Sequence, residues 1–86
     1  MNPIASENTD LKKVTFVLHD RSIAQEVHQE IVGCGHAVSQ RLREVCREGG
    51  NLIIGVYQHE LAEGVIDLDT VIDTIRDIAK RVRERV

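Results

Sequence analysis

The sequence has little of what nucleic-acid-binding proteins usually depend on. It contains one Phe, one Tyr and no Trp, and its formal net charge is -3. Proteins that bind single-stranded nucleic acid stack bases on several aromatic rings, and DNA-binding proteins present a basic face. The composition therefore predicts a protein that makes no direct contact with nucleic acid.

Cysteine and long apolar runs are also scarce. Cys34 and Cys46 are the only cysteines, which is too few for a disulfide framework. No apolar run approaches the roughly 20 residues that cross a bilayer, and the first residues lack the basic-then-apolar pattern of a secretory signal. We therefore expect a cytoplasmic protein that does not associate with membranes. A chain of 86 residues can form one hydrophobic core but not two.

Two segments have the composition of β-strands. Residues 1–11 have no periodicity and predict a flexible N-terminal segment, followed by a single domain over residues 12–86. Residues 12–19 are rich in β-branched and aromatic side chains and predict a central strand that is partly covered on both faces. Residues 51–58 form a nearly continuous apolar run and predict a second buried strand, after which residues 59–66 predict a loop.

Two amphipathic helices are predicted around these strands. Asp20 or Ser22 can cap the first helix, which we expect to cover residues 22–32, because apolar residues recur there at helical spacing and glycines follow. Asp67 or Asp69 can cap the last helix, whose apolar stripe continues for about five turns. Acidic residues lie early in the last helix and basic residues late, which matches the helix dipole.

The segment over residues 36–48 has two interpretations. Val38, Leu42, Val45 and Cys46 lie at a spacing that fits an apolar helical stripe. Val38, Leu42 and Cys46 also share one face of a strand if that face accepts Gln40 and Glu44. Periodicity alone favours the helix. The glycine pair at residues 49–50 predicts a turn.

A resemblance to a known family is carried by the stretch D-R-S-I-A-Q-E-V-H-Q-E-I-V-G-C-G, followed by R-L, then R-E-G-G and an apolar strand. From about residue 14 to residue 56 the chain resembles the small regulators found with iron-only hydrogenase systems. These regulators share an ACT-like, ferredoxin-like α+β fold with the metal-binding domain of nickel-responsive repressors. The resemblance implies the order β-α-β-β-α, a largely antiparallel sheet with helices on one face, and residues 37–46 as a strand that pairs with residues 51–58. The family's fourth strand is replaced here by the helical pattern of residues 79–86.

The resemblance also implies a position for a ligand. In ACT-like proteins small effectors bind at the subunit interface, near the turn between the first strand and the first helix. The corresponding residues here are His19, Asp20, Arg21 and Ser22, where the helix amides favour an anionic group and Arg21 supplies a counter-charge. Alternatively, Asp20 and Ser22 cap the helix and Arg21 is solvated.

Metal binding and catalysis are weaker hypotheses. Cys34 and His36 are one residue apart, so a thiolate and an imidazole can meet one ion, and His59 lies where a strand ends. These three residues are the candidate ligands of a transition metal. His19 and Asp20 would form a base and its orienting carboxylate only if they shared a face, which adjacent strand residues do not, and no nucleophile is placed nearby. We therefore expect no enzymatic activity, and no residue pattern indicates a cofactor.

Self-association is expected from two features, an open sheet edge and an apolar stripe on the last helix that is longer than the core of an 86-residue chain readily covers. We therefore expect a small regulatory or ligand-sensing domain that acts through a homodimer and responds to a small-molecule or metal effector. Two alternatives stay open from the sequence. One is a structural or assembly protein that docks on a protein partner through its C-terminal amphipathic helix, and the other is a transition-metal-binding protein.

Overall fold

The computed structural model describes residues 10–85, which form an α+β domain around a three-stranded sheet. The strands are β1 (Leu11–Val17), β2 (Glu44–Glu48) and β3 (Asn51–Tyr57). The helices are α1 (Arg21–His28), its π-helical continuation (Gln29–Gly33), a 3-10 helix (Ala37–Arg41), α2 (Gln58–Ala62) and α3 (Leu68–Arg85). The described chain therefore has the order β-α-β-β-α, with two further short helices.

The strand order is β1-β3-β2, and both strand pairs are antiparallel. β3 is therefore the central strand, and the prediction of a central strand at residues 12–19 is wrong, because β1 lies at an edge. Val17 of β1 is 56% exposed, so the second face of this strand is not covered either. The nearly continuous apolar run of β3 identified the central strand more reliably than the shorter run of β1.

The core lies on one face of the sheet, where α1 packs against β2, β3 and α3. The register aligns Val14 and Val45 on either side of Ile54, and Phe16 lies opposite Leu52 in the next row. These side chains share a face because side chains alternate along a strand. The largest fully buried side chains of this core are those of Val27, Ile31, Leu52, Ile54, Val56, Val71, Ile75, Ile78 and Val82.

The apolar stripe of α3 is buried within this core. Val71, Ile75, Ile78 and Val82 are each at most 2% exposed. The expectation that this stripe exceeds what the core can cover is therefore wrong, and docking through it would require α3 to leave the sheet. No helix within residues 10–85 combines the length and the apolar character that crossing a bilayer requires.

The ambiguous segment divides into two structures. Residues 37–41 are helical, as periodicity favoured, and residues 44–48 form a strand, as the family resemblance implied for part of this region. The implied strand over residues 37–46 is therefore wrong over residues 37–43, and only residues 44–46 belong to β2. The physical reason is local, because the His36 side chain caps the 3-10 helix and the chain becomes extended only at Leu42.

Other boundaries differ by a few residues. β1 begins at Leu11, inside the segment predicted to be flexible, and the first nine residues of that segment lie outside the described residues. The loop predicted over residues 59–66 contains most of α2. Of the predicted caps, Asp20 caps α1, and Asp67 accepts hydrogen bonds from the Asp69 amide and the Thr70 hydroxyl at the start of α3.

The turn between β1 and α1 packs directly on the turn between β2 and β3. The Leu18 N–H donates to the Gly50 carbonyl at 3.1 Å. A Cβ added to Gly50 would lie 2.9 Å from the Asp20 nitrogen and 3.1 Å from the His19 carbonyl carbon. Only a residue without a side chain allows this approach of two backbones.

We therefore expect Gly50→Ala to lower the free energy of unfolding by about 1–3 kcal/mol, because either turn must move to accept the methyl group. Chemical denaturation measures this difference. The matched control is Gly49→Asn, in the same turn, where an added Cβ meets nothing within 4 Å and asparagine tolerates the left-handed backbone. An equal loss in the two variants would contradict the proposed contact.

Candidate functional site

The predicted ligand residues His19, Asp20, Arg21 and Ser22 lie together in the turn between β1 and α1, and all four are exposed. His19 has a left-handed backbone with φ 63°, which places the turn in a conformation that few residues other than glycine adopt. The turn is held from behind by Gly50. The four residues are therefore adjacent on the surface, at one end of the sheet.

Asp20 already uses the amides that an anionic ligand would need. Its carboxylate oxygen Oδ1 accepts hydrogen bonds from the Ser22 N–H at 2.8 Å and from the Ile23 N–H at 3.2 Å. The helix N-terminus thus has an internal anion as its cap. A ligand at this turn would have to displace the Asp20 side chain or bind through Arg21 and Ser22 alone.

The predicted metal ligands are not gathered into a site. Cys34 is an exposed free thiol that follows the π-helical turn. His36 accepts a hydrogen bond from the Val38 N–H through Nδ1, at 3.1 Å, and His59 pairs with Asp10. Residues 10–85 contain no cluster of three or more His, Cys, Asp or Glu side chains that could hold an ion. Metal binding by this set stays a prediction.

An aromatic and charged cluster that the sequence did not reveal surrounds Tyr57. The His59 ring stacks on the Tyr57 ring with centroids 5.1 Å apart, and the guanidinium carbon of Arg43 lies 5.2 Å from the Tyr57 centroid. His59 Nδ1 is hydrogen-bonded to Asp10 Oδ2. Asp10 and His59 are 49 positions apart in the sequence, and the pairing of Leu11 with Tyr57 brings them together.

Within residues 10–85, no other element covers the sheet face away from the helices. We call it the open face, and its side chains are exposed or half-buried. It is formed by alternate residues of the strands, which lie in cross-strand rows: Leu11 and Tyr57, then Lys13, Gly55 and Glu44, then Thr15, Ile53 and Cys46, then Val17, Asn51 and Glu48. The Lys13 Nζ reaches the Glu44 Oε1 across Gly55 at 3.3 Å. Because Gly55 has no side chain, Lys13 and Glu44 can meet across it, and a Cβ added there would lie 3.2 Å from the Glu44 Cβ and from the Leu11 side chain.

A groove of about 380 Å³ follows the free edge of β1. Its walls are β1 and α3, and its charged side chains are Arg76 and Arg83. Its lining ends at Leu18 and does not include the predicted ligand residues of the neighbouring turn. The open face and this groove are therefore two of the surfaces that residues 10–85 leave accessible, beside a cleft of about 360 Å³ between Glu30 and the end of α3.

Comparison with known proteins identifies no relative of this chain. No family model, no curated protein and no solved structure matches the chain. Any function must therefore be argued from the surfaces themselves.

The Asp10 and His59 pair makes a specific prediction about pH. The hydrogen bond that the protonated His59 ring donates to the Asp10 carboxylate raises the pKa of His59 above its ordinary value. Desolvation opposes this rise, and the charges of Asp10, Glu63 and Glu60 add to it. A raised pKa means that the pair stabilises the fold fully below the unfolded pKa of about 6.5, and that this contribution is lost as the pH rises through the folded value.

We expect Asp10→Asn to lower the pKa of His59, measured from the NMR shifts of its ring protons. The variant should also flatten the dependence of melting temperature on pH above about 6.5. Glu63→Gln is the control, because Glu63 acts only through its charge and should lower the pKa less. An unchanged pKa in Asp10→Asn would show that the pair does not form in solution.

Proposed function

We propose that this chain is a small, non-catalytic regulatory domain that acts by reversible self-association through its open face. The observation that carries the proposal is the distribution of charge and apolar surface on that face. Ile53 lies at its centre, with Lys13 on β1 and Glu44 on β2, so positive and negative side chains lie on opposite sides of the central strand.

This distribution is complementary to itself. In a dimer with a twofold axis parallel to β3, the β1 strand of one copy lies over β2 of the other. Lys13 of each copy then faces Glu44 of the other, and Ile53 packs on Ile53. Stacked sheets lie about 10 Å apart and cross at about 30°, and the long Lys and Glu side chains can span that offset. The same face therefore attracts a second copy without any change of conformation.

The expected association is weak. Three strands spaced by about 4.8 Å and a central strand about 23 Å long give a footprint of only a few hundred Å² on each copy. Interfaces of this size belong to transient complexes. A weak dimer suits a regulator, because a ligand or partner needs only a small difference in affinity for the two states to shift the equilibrium.

The proposal keeps the ACT-like, ferredoxin-like interpretation. Its support is the strand order β1-β3-β2 with the chain order β-α-β-β-α, in which β3 separates the two strands joined by α1. A split β-α-β unit of this kind begins the ferredoxin-like fold. An effector at His19, Asp20, Arg21 and Ser22 remains part of the proposal, and we expect it to bind with displacement of the Asp20 cap.

Charge reversal tests the proposed dimer. In Lys13→Glu alone, and in Glu44→Lys alone, residues 13 and 44 carry like charges and face each other across the proposed dimer. We therefore expect each variant to associate at least several-fold more weakly than the natural chain. In a mixture of the two variants, both cross-copy pairs become attractive again. Sedimentation velocity over a concentration series reaching the millimolar range should therefore show heterodimers in the mixture.

The mixture distinguishes a change in the interface between copies from a change in the stability of each copy. Both single variants lose the ion pair between Lys13 and Glu44 within one copy, which is exposed and contributes little stability. Mixing cannot restore that internal pair, so recovered association reports contacts between copies. A natural chain that stays monomeric throughout the series, or a mixture no stronger than its components, contradicts the proposal.

A further inference from the structure

The free edge of β1 carries unpaired backbone groups. Because the Leu18 N–H bonds to Gly50 across the β1 and β3 pair, residues an even number of positions from Leu18 direct their N–H and C=O groups toward β3. Lys13, Thr15 and Val17 are an odd number of positions away, so their backbone groups point to the free edge. No backbone or side-chain group within residues 10–85 bonds to them there. This edge can therefore accept another strand.

The charged side chains that line the groove beside this edge are both positive, Arg76 and Arg83. The other two arginines of α3 form ion pairs within the described chain. Arg81 pairs with Asp77 at 3.8 Å, and Arg85 pairs with Glu30 at 3.5 Å. Arg76 has no acidic partner among residues 10–85, and Arg83 donates only to the Leu18 carbonyl at 3.3 Å. Two guanidinium groups in the groove are thus free to take carboxylates.

We propose that this groove binds an extended, acidic segment of a protein partner, which joins the sheet as a fourth strand beside β1. The cations are spaced on the same scale as the side chains of such a segment, and the flexible Arg and Glu side chains can make up the difference. Arg76 and Arg83 are seven residues apart on α3, or about 10 Å, and side chains on one face of a strand recur about every 6.7 Å. Glutamates at alternate positions of the added strand fall within reach of both arginines, and its other side chains extend the open face. The backbone bonds supply affinity, and the arginines select acidic sequences.

The test uses a capped, fluorescently labelled peptide of alternating glutamate and valine, equal in length to the seven residues of β1. Binding to the full chain is followed by fluorescence anisotropy, at protein concentrations below those at which the chain associates with itself. We expect saturable binding, and we expect Arg76→Gln with Arg83→Gln to weaken it at least about tenfold, because two charge-assisted bonds are lost. Arg76→Gln alone should weaken it less, and it leaves the Arg83 bond to Leu18 in place.

Arg81→Gln is the matched control on the same helix, since Arg81 does not line the groove, and it should leave the affinity unchanged. Two N-methylated peptides test strand addition. One carries N-methyl groups on the glutamates and the other on the valines, and only one of these sets of amides faces β1 in a paired strand. We expect one series to bind and the other to fail, with the valine series failing if the added strand is antiparallel.

Several results would overturn the proposal. Equal binding of a lysine and valine peptide would exclude selection by the arginines, and failure of both N-methylated series, or of neither, would exclude pairing along β1. Displacement of the peptide by a short oligothymidylate would assign the groove to nucleic acid. Loss of self-association in the double arginine variant would assign the edge to a second copy of the chain.

Discussion

The position of β3 between two antiparallel partners is the constraint from which the rest of the structure follows. Its alternate residues Leu52, Ile54 and Val56 are fully buried, so they must face the helices. Alternation then forces Ile53 and its cross-strand neighbours onto the other face. A slip of one residue would exchange the two faces and expose the core, so the register is fixed by burial.

The same constraint decides which surfaces stay available. Helices α1 and α3 cover one face of the sheet, and the apolar stripe of α3 is buried against that face. Within residues 10–85, β3 pairs with one side of β1 and no strand pairs with the other side. An edge and a face are thus left open for physical reasons, and neither depends on the apolar helix that the sequence suggested as a docking element.

Much of this fold could be predicted from the sequence. The apolar run at residues 51–58, the helical spacing in α1 and α3, and the capping residues Asp20 and Asp67 are local signals, and the structure places an element at each. The prediction for residues 36–48 failed because a short 3-10 helix and a short strand together have the sequence pattern of one longer element. The order of strands and the Asp10 and His59 pair depend on contacts between distant parts of the chain, which periodicity does not encode.

The two proposed binding modes use the same strand in perpendicular directions. Side chains of Lys13, Thr15 and Val17 point out of the open face, while the backbone groups of the same residues point out of the edge. A second copy and an added strand can therefore bind together without a clash of side chains. Coupling between them, which regulation requires, must then pass through the position of β1 itself. Its distance from α3 sets the width of the groove, and its tilt sets where Lys13 meets Glu44 of the other copy.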